Sequence, residues 1–190
     1  MVRTRKRKTK IHSYFFILVS SLFFLSVGAL VGFVFFRFFK DESVFIINKF
    51  KILQGFVGIR EYKEGMSIVY AFIVILLGNL FSTIGYGVLG YLRTLIPVSL
   101  VSGFFIVIFL LSGTIRHSMA LPVSMVILSS IEMFYRAMAM ALGEYIQKRR
   151  ALRRTLSKKV VTAILVIVFL LLMAGIAYEL LLIYNPGYFT

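Results

Sequence analysis

Five stretches of this chain run for 20 residues or more with almost no charge: residues 14–36, 66–91, 95–114, 119–143 and 160–184. A hydrocarbon core of about 30 Å needs about 20 apolar residues in helical form, so each stretch is long enough to cross. Of the 29 charged residues, only Glu132, Arg136 and Glu179 lie inside these stretches. Helices are the structure that fits, because an open sheet leaves backbone groups unpaired in lipid. A barrel would show short alternating segments, which are missing. The expected fold is an all-α polytopic membrane bundle with five transmembrane helices and one extracytoplasmic amphipathic segment. Composition agrees: 60% of residues are apolar and 15% charged, against about 45–50% and about 25% in soluble domains. An ordinary soluble globule and a disordered chain are excluded. With no cysteine, so is a disulfide scaffold.

The formal charge of +15 would alone point to nucleic acid. Its placement points to membrane topology instead. Fourteen basic residues fall on one side of the five spans: six before residue 14, Arg93, and seven in residues 147–159. The other side holds seven: Arg37, Lys40, Lys49, Lys51, Arg60, Lys63 and Arg116. By the positive-inside rule the N-terminus is cytoplasmic and the C-terminus extracytoplasmic, in a cell membrane. The first span reads as a retained anchor, since its apolar run is too long for a signal peptide and no Ala-x-Ala-like site follows. The plan is then a basic cytoplasmic start (1–13), span one (14–36), an outer loop (37–65), spans two to four (66–146), a basic cytoplasmic segment (147–159), and span five with a short outer tail (160–190). Arg149, Arg150, Arg153, Arg154, Lys158 and Lys159 are placed to contact anionic headgroups. Nucleic acid is not expected, because no aromatic-bearing soluble module accompanies the charge.

The outer loop has a helical period. Ile46, Phe50, Leu53 and Val57 follow at steps of four, three and four, and Phe45 and Phe56 widen the stripe. This reads as an amphipathic helix on the outer leaflet or capping the bundle. It either packs on its own bundle or offers a face to a partner. Residues 58–65 read as a polar linker.

Polar residues inside the oil are functional candidates by default. Glu132 and Arg136 stand four apart, so they share a helix face and can pair. Ser124 lies two such steps before Glu132. The two charges cost roughly 5–7 kcal/mol on the insertion scale, against roughly 2–5 kcal/mol from the eight Leu, Ile, Phe and Val residues of span four. That helix is marginal alone and should sit inside the bundle. Span two offers the partner face: Asn79 at its middle, then Ser82, Thr83, Tyr86 and Gly90. Span three adds Ser99, Ser102 and Gly103. Asn79, Glu132 and Arg136 read as interhelical glue, as a midplane polar site for transport, or as a catalytic pair.

Other patterns are weaker. Residues 85–90, Gly-Tyr-Gly-Val-Leu-Gly, match the dinucleotide-binding pattern but lack the strand and the βαβ unit that give it meaning. Gly28 and Gly32 form a small-xxx-small pair for helix packing. Five methionines between Met119 and Met140 read as adaptable packing. His117 and His12 fall on opposite sides of the membrane, so no metal site is expected. Pro97 and Pro122 fall in the first turns of spans three and four. Glu179 is placed near the outer interface, snorkelling or capping. No Ser-His-Asp set, carboxylate dyad or Walker loop occurs, so neither enzyme activity nor a cofactor is expected.

The C-terminal third, RRALRRTLSKKVVTAILVIVFLLLMAGIAYE, joins a basic segment to a long final helix ending in Glu179. With the five-span plan, it resembles the stage II sporulation protein M family of bacterial and archaeal membrane proteins. Asn79 is similar to that family's Asn in span two, and His117 and Pro122 to its Pro-His-Gly turn and Glu-x-Pro. Here Ser118 replaces the turn's Gly, Ile115 and Arg116 replace its Pro, and no Glu precedes Pro122. The resemblance implies a non-enzymatic membrane scaffold; in sporulating bacteria the family assembles with cell-wall-cleaving proteins. The leading expectation is a scaffold or membrane-complex subunit that organises membrane or extracytoplasmic partners, with homo-oligomerisation left open. The alternative is a small permease or channel component built on Asn79, Glu132 and Arg136.

Overall fold

The structure is a computed structural model that describes residues 2–56, 67–117, 121–153 and 155–184. It is all-helical. Six helices follow in order: α1 (Val2–Phe38), α2 (Lys40–Phe56), α3 (Ile68–Tyr91), α4 (Leu95–His117), α5 (Val123–Ala151) and α6 (Lys158–Tyr184). All but α2 are long and apolar enough to cross a bilayer, and the chain is a multi-pass membrane protein. Four of the five spanning helices overrun the expected spans at one end or both, and α3 does not. In particular α5 continues past Gly143 and carries Gln147 to Arg150 as helix. The basic segment is therefore helical at its start and breaks only at Leu152 and Arg153. Pro122 is also corrected: it stands at the N-cap of α5, just outside the first turn. The linker at 58–65 lies outside the described residues.

The turns on the basic side end two helices alike. Arg93 after α3 and Arg153 after α5 have φ of 63° and 48°, the left-handed conformation that glycine adopts most easily. The Thr94 N–H closes the α3 end on the Leu89 carbonyl at 3.2 Å, and its hydroxyl donates there too at 2.7 Å. A cation at each position faces the negative end of the helix dipole.

The core is organised around α5. It is the least apolar span, yet 44% of its most apolar window is buried, against 17–28% in the other four. Tyr135, Met140, Ala141 and Tyr145 are shut off from the surface. The expectation that this helix sits inside the bundle holds, because α1, α3 and α6 all pack on it. Met133, Met138 and Met140 are buried in that packing. Tyr14 of α1 reaches in as well: its hydroxyl donates to the Met138 carbonyl at 3.2 Å, and its ring meets Tyr145 edge-on at 6.1 Å.

Glycines set the two tightest contacts. A Cβ on Gly28 or Gly32 of α1 would overlap the backbone of Leu100 or Phe104, and one on Gly103 of α4 would overlap Leu25 and Ala29. Ser21 and Ser99 hydrogen-bond across the same interface at 3.0 Å. Between α3 and α5, Gly90 lies against Met140 and Gly143 against Gly87 and Tyr91. Residues 85–90 are thus helix in α3, and two of the pattern's three glycines serve packing.

The segment between the first two spans forms the expected helix but not the expected face. Ser43 and Ile47 are the buried residues of α2, Phe50 meets Phe105 of α4 at 5.8 Å, and Phe45 is exposed. Relative to the stripe led by Ile46, the buried face is turned by one residue. A serine at 43, bonded back to the Phe39 carbonyl at 2.7 Å, lets α2 approach closely. The α2 helix packs on α4 and α1 of its own bundle; the Leu53 and Phe56 side chains and Val57 lie outside the description.

These contacts separate the glycines into two kinds. Gly103→Ala and Gly143→Ala are expected to cost about 1–3 kcal/mol each by overpacking. Gly113→Ala meets nothing within 4 Å and should be neutral or stabilising by up to about 1 kcal/mol. Denaturant unfolding of the three variants in mild detergent checks the contrast.

Candidate functional site

The intramembrane polar residues converge on the middle of α3. Arg136 sits one helical turn after Glu132 on α5, and its Nη2 lies 3.1 Å from Glu132 Oε2. The same Nη2 donates to Asn79 Oδ1 of α3 at 2.8 Å. One guanidinium nitrogen therefore joins two helices. Both charged side chains are largely buried, at 16% and 18% exposure. At that depth an ion pair persists only with its partners in place.

Glu179 belongs to this group, which corrects its expected position. It does not snorkel to the outer interface. Its carboxyl is turned onto the Asn79 side chain and lies in electrostatic range of Glu132 and Arg136. The cause is the face on which α6 packs. Leu172, Gly175 and Ile176 are buried on that helix, and Gly175 approaches Ile131 and Tyr135. Glu179 follows Gly175 by four residues and so shares its face. Tyr135 completes the group, with the Arg136 guanidinium 5.8 Å from its ring centre. Three helices thus contribute one amide, two carboxylates, one guanidinium and one phenol.

The other candidates fall elsewhere. Thr83 gives its hydroxyl to the Asn79 backbone carbonyl at 2.6 Å, within α3. Tyr86 pairs with Ser102 of α4 at 2.6 Å and so ties α3 to α4. Ser124 is buried near the start of α5 and, among the described residues, makes no bond to the group. His117 ends α4, with its side chain outside the description. Of the predicted headgroup contacts, Arg150, Arg153, Lys158 and Lys159 are exposed, while Arg154 lies outside the described residues. Arg149 is a correction: it is buried, with its guanidinium 5.4 Å from the Tyr145 ring. The extension of α5 turns it inward, one helical turn from Tyr145.

Sequence reasoning missed Tyr135 and Glu144. Glu144 is buried and pairs with Lys148 at 2.5 Å. It stood one residue beyond the expected end of span four. Tyr135 carried a usable signal, since it adjoins Arg136 and stands three residues after Glu132.

Two cavities adjoin this region, and neither is lined by Asn79, Glu132, Arg136 or Glu179. The larger, about 550 Å³, is an apolar groove between α3 and α6, floored by α5. The smaller, about 360 Å³, lies between α3 and α4 beside Tyr86 and Ser102. Within the polar group, Tyr135 OH, Arg136 Nε and Glu179 Oε2 are buried and meet no hydrogen-bond partner among the described residues. Among the described residues no cluster of three or more His, Asp or Glu could hold a metal ion.

Removing one member of the group is expected to cost more than removing a matched pair. Arg136→Leu leaves Glu132 unpaired in the bundle and should lose about 3–5 kcal/mol. The double variant Arg136→Leu with Glu132→Leu should recover at least half of that loss. A double-mutant cycle by denaturant unfolding in detergent measures the coupling.

Compared with protein-family models, with curated proteins and with solved structures, the chain has no match.

Proposed function

We propose that this chain is a non-enzymatic membrane scaffold, or a subunit of a membrane complex, that organises partner proteins in the bilayer. The observation that carries this reading is the pairing within the polar group. Arg136 is held by Glu132 and Asn79, and neither neighbouring cavity reaches them. A transport path needs water or substrate to touch such residues. A scaffold needs them only to hold helices together. The low burial of the spans adds weight. In α3 only 17% of the most apolar window is covered, which leaves broad helix faces for lipid or for partner helices. The resemblance to the stage II sporulation protein M family points the same way.

In this reading the N-terminus and the α3–α4 and α5–α6 turns face the cytoplasm, the basic residues of those turns meet anionic headgroups, and α2 lies outside the cell membrane. A permease or channel component is the second reading. It is favoured by Tyr135 OH, Arg136 Nε and Glu179 Oε2, which find no partner among the described residues and which a passing ion or water would satisfy.

The two readings separate in reconstituted liposomes and native membranes. The scaffold predicts ion and solute flux at the level of protein-free vesicles, unchanged by Glu132→Gln or Arg136→Ala. It also predicts that cross-linking in intact membranes captures a discrete partner in fixed ratio. Flux above that level that falls in both variants would replace the scaffold with the permease.

A further inference from the structure

We infer that the groove between α3 and α6 binds one acyl chain of an anionic phospholipid, whose phosphate rests on Arg150. The groove is lined by Leu80, Ile84 and Val88 on one wall and Leu165 and Phe169 on the other, over Leu142. Thr83 adds no free polarity there, since its hydroxyl is given to the Asn79 carbonyl. Dimension and charge together identify the occupant.

The α3 wall runs from Leu80 to Tyr91, eleven steps of about 1.5 Å, or about 16 Å. That is one leaflet of a core about 30 Å thick. It begins beside Asn79, at the middle of α3, and ends where α3 ends. The walls of the groove are almost wholly apolar, so a hydrocarbon chain lies in it without burying an unpaired polar group.

The end of the groove is positively charged. Arg150 Nη1 lies 3.4 Å from Tyr91 OH, and the guanidinium stands 5.9 Å from the Tyr91 ring centre. The contact places Arg150 at the groove's last residue while leaving it exposed. Among the described residues no carboxylate pairs with it. Each helix of the groove carries an exposed cation at this end: Arg93 just after α3, Arg153 just after α5, and Lys158 at the start of α6. An apolar slot one leaflet deep under an unneutralised guanidinium matches an anionic phospholipid. The inference needs only that the chain spans a membrane and does not rest on the scaffold reading.

Native mass spectrometry of the full chain, delipidated in mild detergent, tests it with phosphatidylglycerol and phosphatidylcholine. One phosphatidylglycerol per chain is expected, retained at least tenfold better than phosphatidylcholine. Arg150→Ala should weaken it about fivefold, the worth of one basic residue at a headgroup. Gly87→Leu should weaken it tenfold or more by filling the slot; only the Ala139 carbonyl, at 3.7 Å, lies near that Cβ position. Ile84→Trp is the second filling variant if Gly87→Leu fails to fold. Equal retention of the two lipids would overturn the inference, as would adducts untouched by folded slot-filling variants. Because the chain has no cysteine, Ile84→Cys supplies a single thiol. A disulfide-linked dimer of that variant in native membranes would give the groove to a second copy instead.

Discussion

A guanidinium in the hydrocarbon core is the constraint on which this bundle depends. Even on the mild insertion scale, Arg136 costs about 2.5–3.5 kcal/mol at the centre of a membrane helix. Glu132 on the same helix answers the charge but adds a second buried ion. The pair therefore needs cover from neighbouring helices. Asn79 supplies it from α3 with a direct hydrogen bond, and Glu179 turns toward the same place from α6. The least apolar helix becomes the most buried one, and two others are drawn onto it. Partition between oil and protein, more than any sequence periodicity, puts α5 at the centre.

The contacts away from this group need no charge. Lipid tails are as apolar as leucine, so membrane helices gain little by hiding leucine from lipid. They associate by close approach and by hydrogen bonds. The α1–α4 pair does both, with Gly28, Gly32 and Gly103 bringing backbones together and Ser21 meeting Ser99. The α3–α5 pair repeats the device with Gly90 and Gly143 beside the Asn79–Arg136 bond. Tyr86 and Ser102 link the two pairs, since they bond α3 to α4.

How much of this was legible in the sequence differs by scale. The spans were legible because burial in lipid is read directly from composition, and charge segregation marks their ends. The Glu132–Arg136 pair was legible because four residues make one helical turn. Its bond to Asn79 was legible because a lone amide at mid-membrane has few other options. Glu179 was not, since its role depends on which face of a uniformly apolar α6 turns inward. Gly175 is the residue that decides this, and a single glycine in such a helix is a weak mark. Arg149 was misjudged and Glu144 missed for one reason: α5 continues beyond its apolar stretch, so charged residues past that stretch are held in the bundle. The buried face of α2 was off by one residue because Ser43, rather than a large apolar side chain, is what lets that helix dock.

The polar group and the groove are two ends of one arrangement. Both are built from α3, α5 and α6. At the level of Asn79, Arg136 bonds α5 to α3, and Glu179 of α6 lies in electrostatic range of the same group. One residue later, at Leu80, the groove begins and runs on to Tyr91. Over that length α3 stays on α5, held by Gly90 and Gly143. The inward glycine of α6, Gly175, lies beyond the groove, whose α6 wall runs from Leu165 to Leu172. Backbones without a small residue between them stay farther apart, so the gap opens where glycine gives out on α6. Closing it with protein would need a longer polar clamp or a second small residue on α6. Filling it with an acyl chain needs neither, because the walls are apolar and the open end is already positive. The group that makes α5 fit for the membrane therefore also marks one end of the slot at the middle of α3, and limits its length to half of that helix.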